Sequence, residues 1–319
     1  MVNKVLITGG LGFLGGRIAN YLSDKGYAVI LTTRKPENKF PKNIPANTLV
    51  MQLDYSSDEQ LNEAMKGIDT LIHLAGPNIH SSSYDPENII SNHIKLTERL
   101  LRVAKSNNLN KLIYLSTIHV YGKNLKDLVT EDTKPNPVHP FAEAHLAAEK
   151  ILIAQADNVS VKIIRCSNSF GVPYFENEKC WKLVVNNFCK SAFQNGGLII
   201  NSSGQDYRDF IAVEDIVRGI HYLMQLNNDK GIDDIYNLGS SNTVRIIDIA
   251  KKIQKELKDG FDYDCPIIKN QPSKEMNKPK HFILSATKIK RLGFKFNYFD
   301  NEISSLLHYC RLNNPKCEN

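Results

Sequence analysis

No two of the six cysteines stand at CxxC spacing, and no histidine lies at zinc-finger spacing from any of them. That excludes a zinc finger or ribbon, and no metal site is expected. Thiols scattered singly through a chain of 319 residues suit a reduced compartment better than a disulfide framework. No apolar run reaches the length of about 18 residues needed to span a membrane. The opening MVNKVLITGG reads as a strand running into glycines, not as a leader peptide. These absences predict a cytoplasmic protein with no membrane partner. A concentrated basic patch is missing too. The net charge of +6 is spread along the chain, apart from a lysine-rich stretch between Lys269 and Lys290 that reads as a solvated face. With no recognition motif beside it, nucleic acid is not an expected partner. Anionic small ligands such as phosphates match a mildly basic protein better. Internal repeats and low-complexity segments are also lacking.

What is present is an alternation. Short apolar, β-branched runs fall at residues 4–8, 28–33, 48–53, 70–74, 111–115 and 161–165. Between them lie segments with apolar residues at helical spacing, at 13–25, 58–65, 86–106 and 141–156. Continuous apolar strands alternating with amphipathic helices predict an α/β fold, a doubly wound parallel sheet covered on both faces. After residue 171 the rhythm loosens. Helices are expected at 179–194, 213–226, 244–257 and 303–311, with a strand at 234–238. The predicted layout is a dinucleotide-binding domain over residues 1–170 and a smaller substrate lobe over 171–319. Further core elements are interleaved at about 205–242.

Ligands of such sheets gather at the carboxyl ends of the strands. There the sequence Thr8-Gly9-Gly10-Leu11-Gly12-Phe13-Leu14-Gly15 follows the first strand and opens the first helix. Gly9 permits a tight turn, Gly12 lets the backbone approach a pyrophosphate, and Gly15 allows close helix–strand packing. The helix N-terminus adds N–H donors and the positive end of its dipole. Together these predict a Rossmann site for a nicotinamide dinucleotide. An Asp or Glu ending the second strand would mark NAD, by bonding the ribose 2′-hydroxyl. Here that stretch reads Thr32-Thr33-Arg34-Lys35. Two cations in place of a carboxylate predict NADP in preference to NAD, with Arg34 and Lys35 on the 2′-phosphate.

With these residues in hand, the chain resembles the extended short-chain dehydrogenase/reductases. It is most similar to the NAD(P)-dependent epimerases, dehydratases and reductases of nucleotide sugars. The resemblance runs over nearly the whole chain. It places Asp54-Tyr55 beside the adenine, and Leu74-Ala75-Gly76, within His73–Gly76, along the cofactor. It matches Asn92 to the asparagine of the long helix that follows. Leu115–Gly122 resembles the family's SSxxVYG segment, which puts Ser116 near the cofactor and Thr117 on the catalytic Ser/Thr. Asn168, within a segment resembling LRxxNxYG, and Arg208, within Arg208-Asp209-Phe210-Ile211, are implied on the substrate side. Tyr236-Asn237-Leu238-Gly239 resembles the YNxG strand. His80 lies on a loop expected to face the cleft, where a second acid could sit, as does His119. His73, His93, Tyr84 and Tyr121 read as packing residues. The resemblance further implies a homodimer built on the helices at 86–106 and 141–156.

The chain departs from the family at its proton-transfer pair. Where YxxxK is expected, the sequence reads Phe141-Ala142-Glu143-Ala144-His145. Tyr21 and Lys25 have that spacing, but on the first helix, by coincidence. Phenylalanine can neither give nor take a proton, whereas imidazole can do both with an ordinary pKa near neutrality. His145 could therefore hold the nicotinamide ribose, serve as the acid, or be a passive survivor of a lost site. Reducing a ketone needs one proton donor, while oxidising an alcohol first needs a competent base. The sequence thus predicts a nucleotide keto-sugar reductase with non-standard acid/base residues, Phe141 facing substrate. The alternative is an NADP-binding pseudoenzyme acting as a sensor or partner subunit.

Overall fold

A computed structural model describes residues 2–76, 85–123, 125–157, 159–226, 231–270 and 280–313. The chain forms β1 (Lys4–Thr8), α1 (Phe13–Asp24), β2 (Ala28–Thr33), β3 (Thr48–Gln52), α2 (Asp58–Met65), β4 (Thr70–His73), α3 (Pro86–Ser106) and β5 (Lys111–Thr117). It continues with β6 (Asp127–Val129), α4 (Pro140–Gln155), β7 (Ser160–Cys166), β8 (Asn168–Phe170), α5 (Val184–Asn195), β9 (Leu198–Ile200) and β10 (Tyr207–Ala212). The remainder is α6 (Val213–Gln225), β11 (Gly231–Leu238), β12 (Thr243–Arg245), α7 (Ile246–Phe261), β13 (Ile267–Lys269), β14 (Phe282–Leu284), α8 (Thr287–Arg291) and α9 (Phe299–Leu312). No helix among the described residues is long and apolar enough to cross a membrane.

Two compact units result. The first comprises Met1–Lys123, Glu131–Cys166 and Val217–Asn237. It carries a seven-stranded sheet in the order β11-β7-β5-β4-β1-β2-β3. The pairings from β7 across to β3 are parallel. Order reverses between β1 and β4, so the loops after β1 and β4 part at the sheet's carboxyl edge. Val5, Leu6 and Ile7 are fully buried, as a central strand covered on both faces requires. On one face Leu6, Leu71, Leu112 and Ile163 pack with Leu61, Leu101 and Leu152 from α2, α3 and α4. Local chemistry starts the helices where the sequence leads one to expect. Ser57 caps α2 by accepting from the Gln60 N–H, and Asp85 caps α3 with Pro86 in its first turn.

The second unit comprises Asn124–Thr130, Ser167–Ile216 and Leu238–Asn319. It holds a three-stranded sheet, β12-β10-β8, and the two-stranded pairs β13-β9 and β14-β6. Its core gathers Phe188, Phe193, Phe210, Ile253, Leu306 and Leu307. Two expected helices differ here. The helix expected at 179–194 is a 3₁₀ turn at Glu178–Lys182, then α5, divided by extended backbone at Leu183. The helix expected at 244–257 begins at Ile246, because Thr243–Arg245 joins an antiparallel ladder with β10. Pairing across a sheet overrode helical spacing at that junction.

Candidate active site

The glycine turn is built so that side chains cannot enter it. Gly9 has φ +69°, and a Cβ there would stand 3.0 Å from the Ala75 nitrogen of the β4 loop. At Gly15 a Cβ would fall 2.7 Å from the Gly10 carbonyl carbon. At Gly10 it would fall 2.6 Å from Leu31 Cβ on β2. Close contact with the strand is therefore made by Gly10, and Gly15 packs on the turn itself. That corrects the helix–strand role expected of Gly15. α1 starts at Gly12 with no side-chain cap and no acidic residue in its first turn. The turn thus presents the uncapped first N–H groups of α1, at Phe13 and Leu14, in a cradle a Cβ would fill. Such a terminus fits the pyrophosphate of a dinucleotide.

Thr8 lies beneath this turn, fully buried. Its hydroxyl accepts from the Leu74 and Ala75 N–H groups and bonds His73 Nδ1 at 2.8 Å. It ties the β4 loop to β1 from below. At the end of β2, Thr33 is buried and its Oγ1 accepts from Lys35 N–H, while Arg34 and Lys35 are exposed. Tyr55 reaches across to this point. Its hydroxyl is 2.8 Å from Thr32 Oγ1 and accepts from Gly9 N–H at 3.4 Å. Burial pushes that phenol above its ordinary pKa. Asp54 is exposed, and its carboxylate accepts the Ser56 N–H and hydroxyl, which hold it below the usual carboxylate range. Asn92 is exposed on α3 and donates to Asn88 one turn earlier. His80 and Tyr84 lie outside the described residues.

The other half of the site in this unit lies between β5 and α4. Residues two apart on a strand share a face, as do residues four apart on a helix. Two rungs result. Tyr114 Oη meets His145 Nδ1 at 2.6 Å, and Ser116 Oγ donates to Glu149 Oε1. Glu149 is fully buried and pairs with Arg165, whose Nη2 is 2.7 Å from Oε2. Arg165 also donates to Tyr121 Oη and lies 4.8 Å over its ring, while Tyr121 donates to Asn237. Burial drives the Tyr121 phenol up to about 12. Ser116 is thereby engaged in the ion-pair network. Thr117 is held by its own backbone position, its Oγ1 accepting from His119 N–H in the turn that follows.

His145 is buried, with Phe141 stacked edge-on at 4.6 Å. Its Nε2 lies 3.5 Å from where a Cβ on Gly76 would stand. The ring therefore sits under the β4 loop, at the sheet's carboxyl edge. Burial and the neighbouring histidines His93, His73 and His119 hold its pKa well below 6.5. This overturns the near-neutral value expected from sequence. His145 is a neutral imidazole at physiological pH. His93, expected to be structural, is part of the same cluster: its Nε2 is 2.8 Å from Tyr114 Oη. His73, expected to be a satisfied core residue, is only half satisfied. Its Nε2 is buried with no hydrogen-bond partner among the described residues. Tyr21 lies on α1 against His221, and Lys25 is the residue that caps the end of that helix.

In the second unit, Asn168 donates to the Asp209 carbonyl at 2.8 Å, joining β8 to β10. Arg208 is half-buried on β10 opposite Val244. Asp209 is buried, and its carboxylate gathers Ser240 N–H, Ser240 hydroxyl and Asn242 N–H. Burial nevertheless raises it to about 6. Tyr114, Glu149, Arg165 and Gly10 were missed as site residues by sequence reasoning. A charged pair in otherwise apolar elements, Glu149 and Arg165, was the available signal.

The NAD dependent epimerase/dehydratase family model matches residues 5–239. An Arabidopsis thaliana trifunctional UDP-glucose 4,6-dehydratase/UDP-4-keto-6-deoxy-D-glucose 3,5-epimerase/UDP-4-keto-L-rhamnose-reductase is 25% identical over 310 residues. That alignment covers 91% of this chain and 44% of the relative, so this chain spans less than half of that protein's length. The dTDP-D-glucose 4,6-dehydratase of Dictyostelium discoideum is 27% identical over 279 residues, covering 79% of this chain and 62% of that one. Solved structures similar in fold include MoeE5 in complex with UDP-glucuronic acid and NAD (TM-score 0.79, 20% identity, 98% and 100% coverage). Another is the UDP-glucose 4-epimerase of Thermotoga maritima with UDP-glucose (TM-score 0.80, 22% identity, 97% and 99% coverage). With the glycine turn opening α1 on a doubly wound sheet, and a family match running from β1 to the end of β11, this chain belongs to the NAD dependent epimerase/dehydratase family.

Proposed function

We propose that this protein is an NADP-preferring oxidoreductase of nucleotide sugars that reduces a keto sugar. The observation that carries the reading is His145, a neutral imidazole under the β4 loop in a site where Phe141 supplies no hydroxyl. Phe13 and Leu14 N–H groups would hold the cofactor's pyrophosphate, and Arg34 and Lys35 its 2′-phosphate. When bound, the reduced nicotinamide supplies the hydride. This chain's residues supply the rest. Thr117 bonds the substrate carbonyl, and His145 Nε2 provides the proton. Asn168, Arg208 and His80 are carried as substrate residues by the family resemblance alone. Reduction suits this set because it needs one donor, which a neutral imidazole can be. The pseudoenzyme alternative draws no support from the relatives, whose names are those of enzymes. We also propose a homodimer through α3 and α4, which leave Ile89, Ile90, Leu146 and Ile151 only half-buried. Light scattering at micromolar concentration checks it, a monomeric mass counting against it.

The functional test is NADPH oxidation over a panel of UDP- and dTDP-linked 4-keto sugars. Sugar-dependent oxidation, faster with NADPH than NADH, is the expected result. Bound NADPH with no oxidation on any member of the panel would count against reduction.

A further inference from the structure

One hydroxyl is shared by two histidines. Tyr114 Oη on β5 lies 2.6 Å from His145 Nδ1 on α4 and 2.8 Å from His93 Nε2 on α3. All three side chains are buried. A phenol has one proton to donate and otherwise accepts, and each neutral imidazole has one N–H and one lone pair. The two hydrogen bonds are therefore coupled. If Tyr114 donates to His145 Nδ1, His93 donates its Nε2–H to Tyr114, and the proton of His145 rests on Nε2. If Tyr114 donates to His93, His145 donates its Nδ1–H to Tyr114, and Nε2 carries a lone pair. The position of one proton decides whether the nitrogen beside Gly76 is a donor or an acceptor. Desolvation keeps the group neutral: it lowers His93 to about 4 and His145 and His73 well below 6.5, and raises Tyr114 well above 10. His73 packs 5.3 Å from Tyr114 and 5.8 Å from His93, closing the cluster with rings.

We propose that Tyr114 and His93 are positioning residues that set and refill the proton on His145 through their shared hydroxyl, making His145 an acid–base group backed by a relay. The proposal rests on the reading of His145 as the proton donor in reduction. One proton leaves His145 Nε2 for the substrate oxygen, one passes from Tyr114 Oη to His145 Nδ1, and one from His93 Nε2 to Oη. His145 and Tyr114 end neutral, as they began. His93 takes up one proton from solvent at Nδ1 as Nε2 gives one up, so all three side chains end neutral with their tautomers reversed, and the reverse path, taking a proton from solvent at His145 Nε2, restores them. Run backwards, the same path accepts a proton from a substrate hydroxyl. Phe141 packs edge-on against the His145 ring at 4.6 Å.

The test combines NMR of nitrogen-labelled histidines with steady-state rates, using NADPH and UDP-4-keto-6-deoxy-D-glucose as probes. In the wild type, His145 should show one tautomer, with His93 in the matching one. Tyr114→Phe removes the shared proton, so the tautomers of His145 should mix. Its kcat should fall about 10- to 100-fold, at or below the lower end of the 10²–10⁴-fold that general acid–base catalysis contributes, with NADPH affinity and KM unchanged within a few fold. His93→Gln keeps a donor for Tyr114 but cannot pass a proton on. It should preserve the wild-type tautomer of His145 and still lose kcat, and it keeps the test alive should Tyr114→Phe not fold. A wild-type His145 carrying its proton on both nitrogens equally, unaltered by Tyr114→Phe, overturns the relay. So do wild-type kcat values in both variants when His145→Ala is inactive. Wild-type kcat in His145→Ala would instead overturn the underlying reading of His145.

Discussion

Acidification should unfold the first unit through its buried histidines, and one of them can be isolated. Free imidazole titrates near 6.5, whereas burial lowers His93 to about 4 in the folded protein. A lowered folded-state pKa means that protons favour the unfolded chain. The stability His93 contributes is complete above about pH 6.5 and is lost as pH falls toward about 4. One proton is worth about 1.4 kcal/mol per pH unit, so bringing the protein from about pH 7.5 to about pH 5 costs about 2 kcal/mol through His93. His73 and His145, held well below 6.5 by burial, shift stability in the same direction. A loss of about 2 kcal/mol is a sizeable part of the stability of an ordinary domain, about 5–15 kcal/mol. Repulsion from His93 and His73 reinforces the trend at His145, and among the described residues no carboxylate bonds any of the three rings. In the second unit Asp209, raised to about 6, acts in the opposite sense: its protonated form favours the folded state, and that stability is lost as pH rises through 6. The assay is urea unfolding of wild type and His93→Gln at the two pH values, followed by near-ultraviolet circular dichroism. Groups that do not sit against His93 cancel in the comparison. Wild type should lose about 2 kcal/mol more than His93→Gln over the interval. Equal losses would refute the reasoning.

Glu149→Ala leaves Arg165 buried without its carboxylate and should cost about 3–5 kcal/mol in urea unfolding. Replacing both partners, as Glu149→Leu with Arg165→Met, should recover much of that loss, and no recovery would argue against the pair as its cause. Gly15→Ala forces a methyl onto the Gly10 backbone. NADPH affinity by calorimetry should drop sharply because the turn must open, and an unchanged affinity would show that the turn tolerates the methyl. Arg34→Ala should weaken NADPH about tenfold or more while barely changing NADH, as loss of a charge-assisted phosphate contact requires. Equal losses for both cofactors would remove the basis for NADP preference.

The strands of the first unit were legible because each is a short, continuous apolar run, and a parallel sheet buries both faces. The glycine turn was legible because its residues are the only ones that fit: a Cβ at Gly9, Gly10 or Gly15 meets backbone or a buried leucine. The second unit was less so. β6, β8, β9, β13 and β14 are three residues each, too short for a period to emerge. β12 was hidden inside a helical pattern. Within the site, sequence singled out His145 but gave it the wrong ionisation, since its pKa depends on burial among His73, His93 and His119. Those residues are far apart in sequence and meet only in the fold. Tyr114 went unnoticed for the same reason: nothing in its own strand marks it until α3 and α4 bring histidines to its hydroxyl.

The central claim is that a nucleotide-sugar reductase works here with His145 in place of the usual proton-transfer pair. It is tested most directly by comparing sugar-dependent NADPH oxidation in wild type and His145→Ala, with NADPH affinity measured alongside. His145→Ala should lose about 100-fold or more in kcat while binding NADPH within a few fold of wild type. Equal turnover by the two proteins would contradict it.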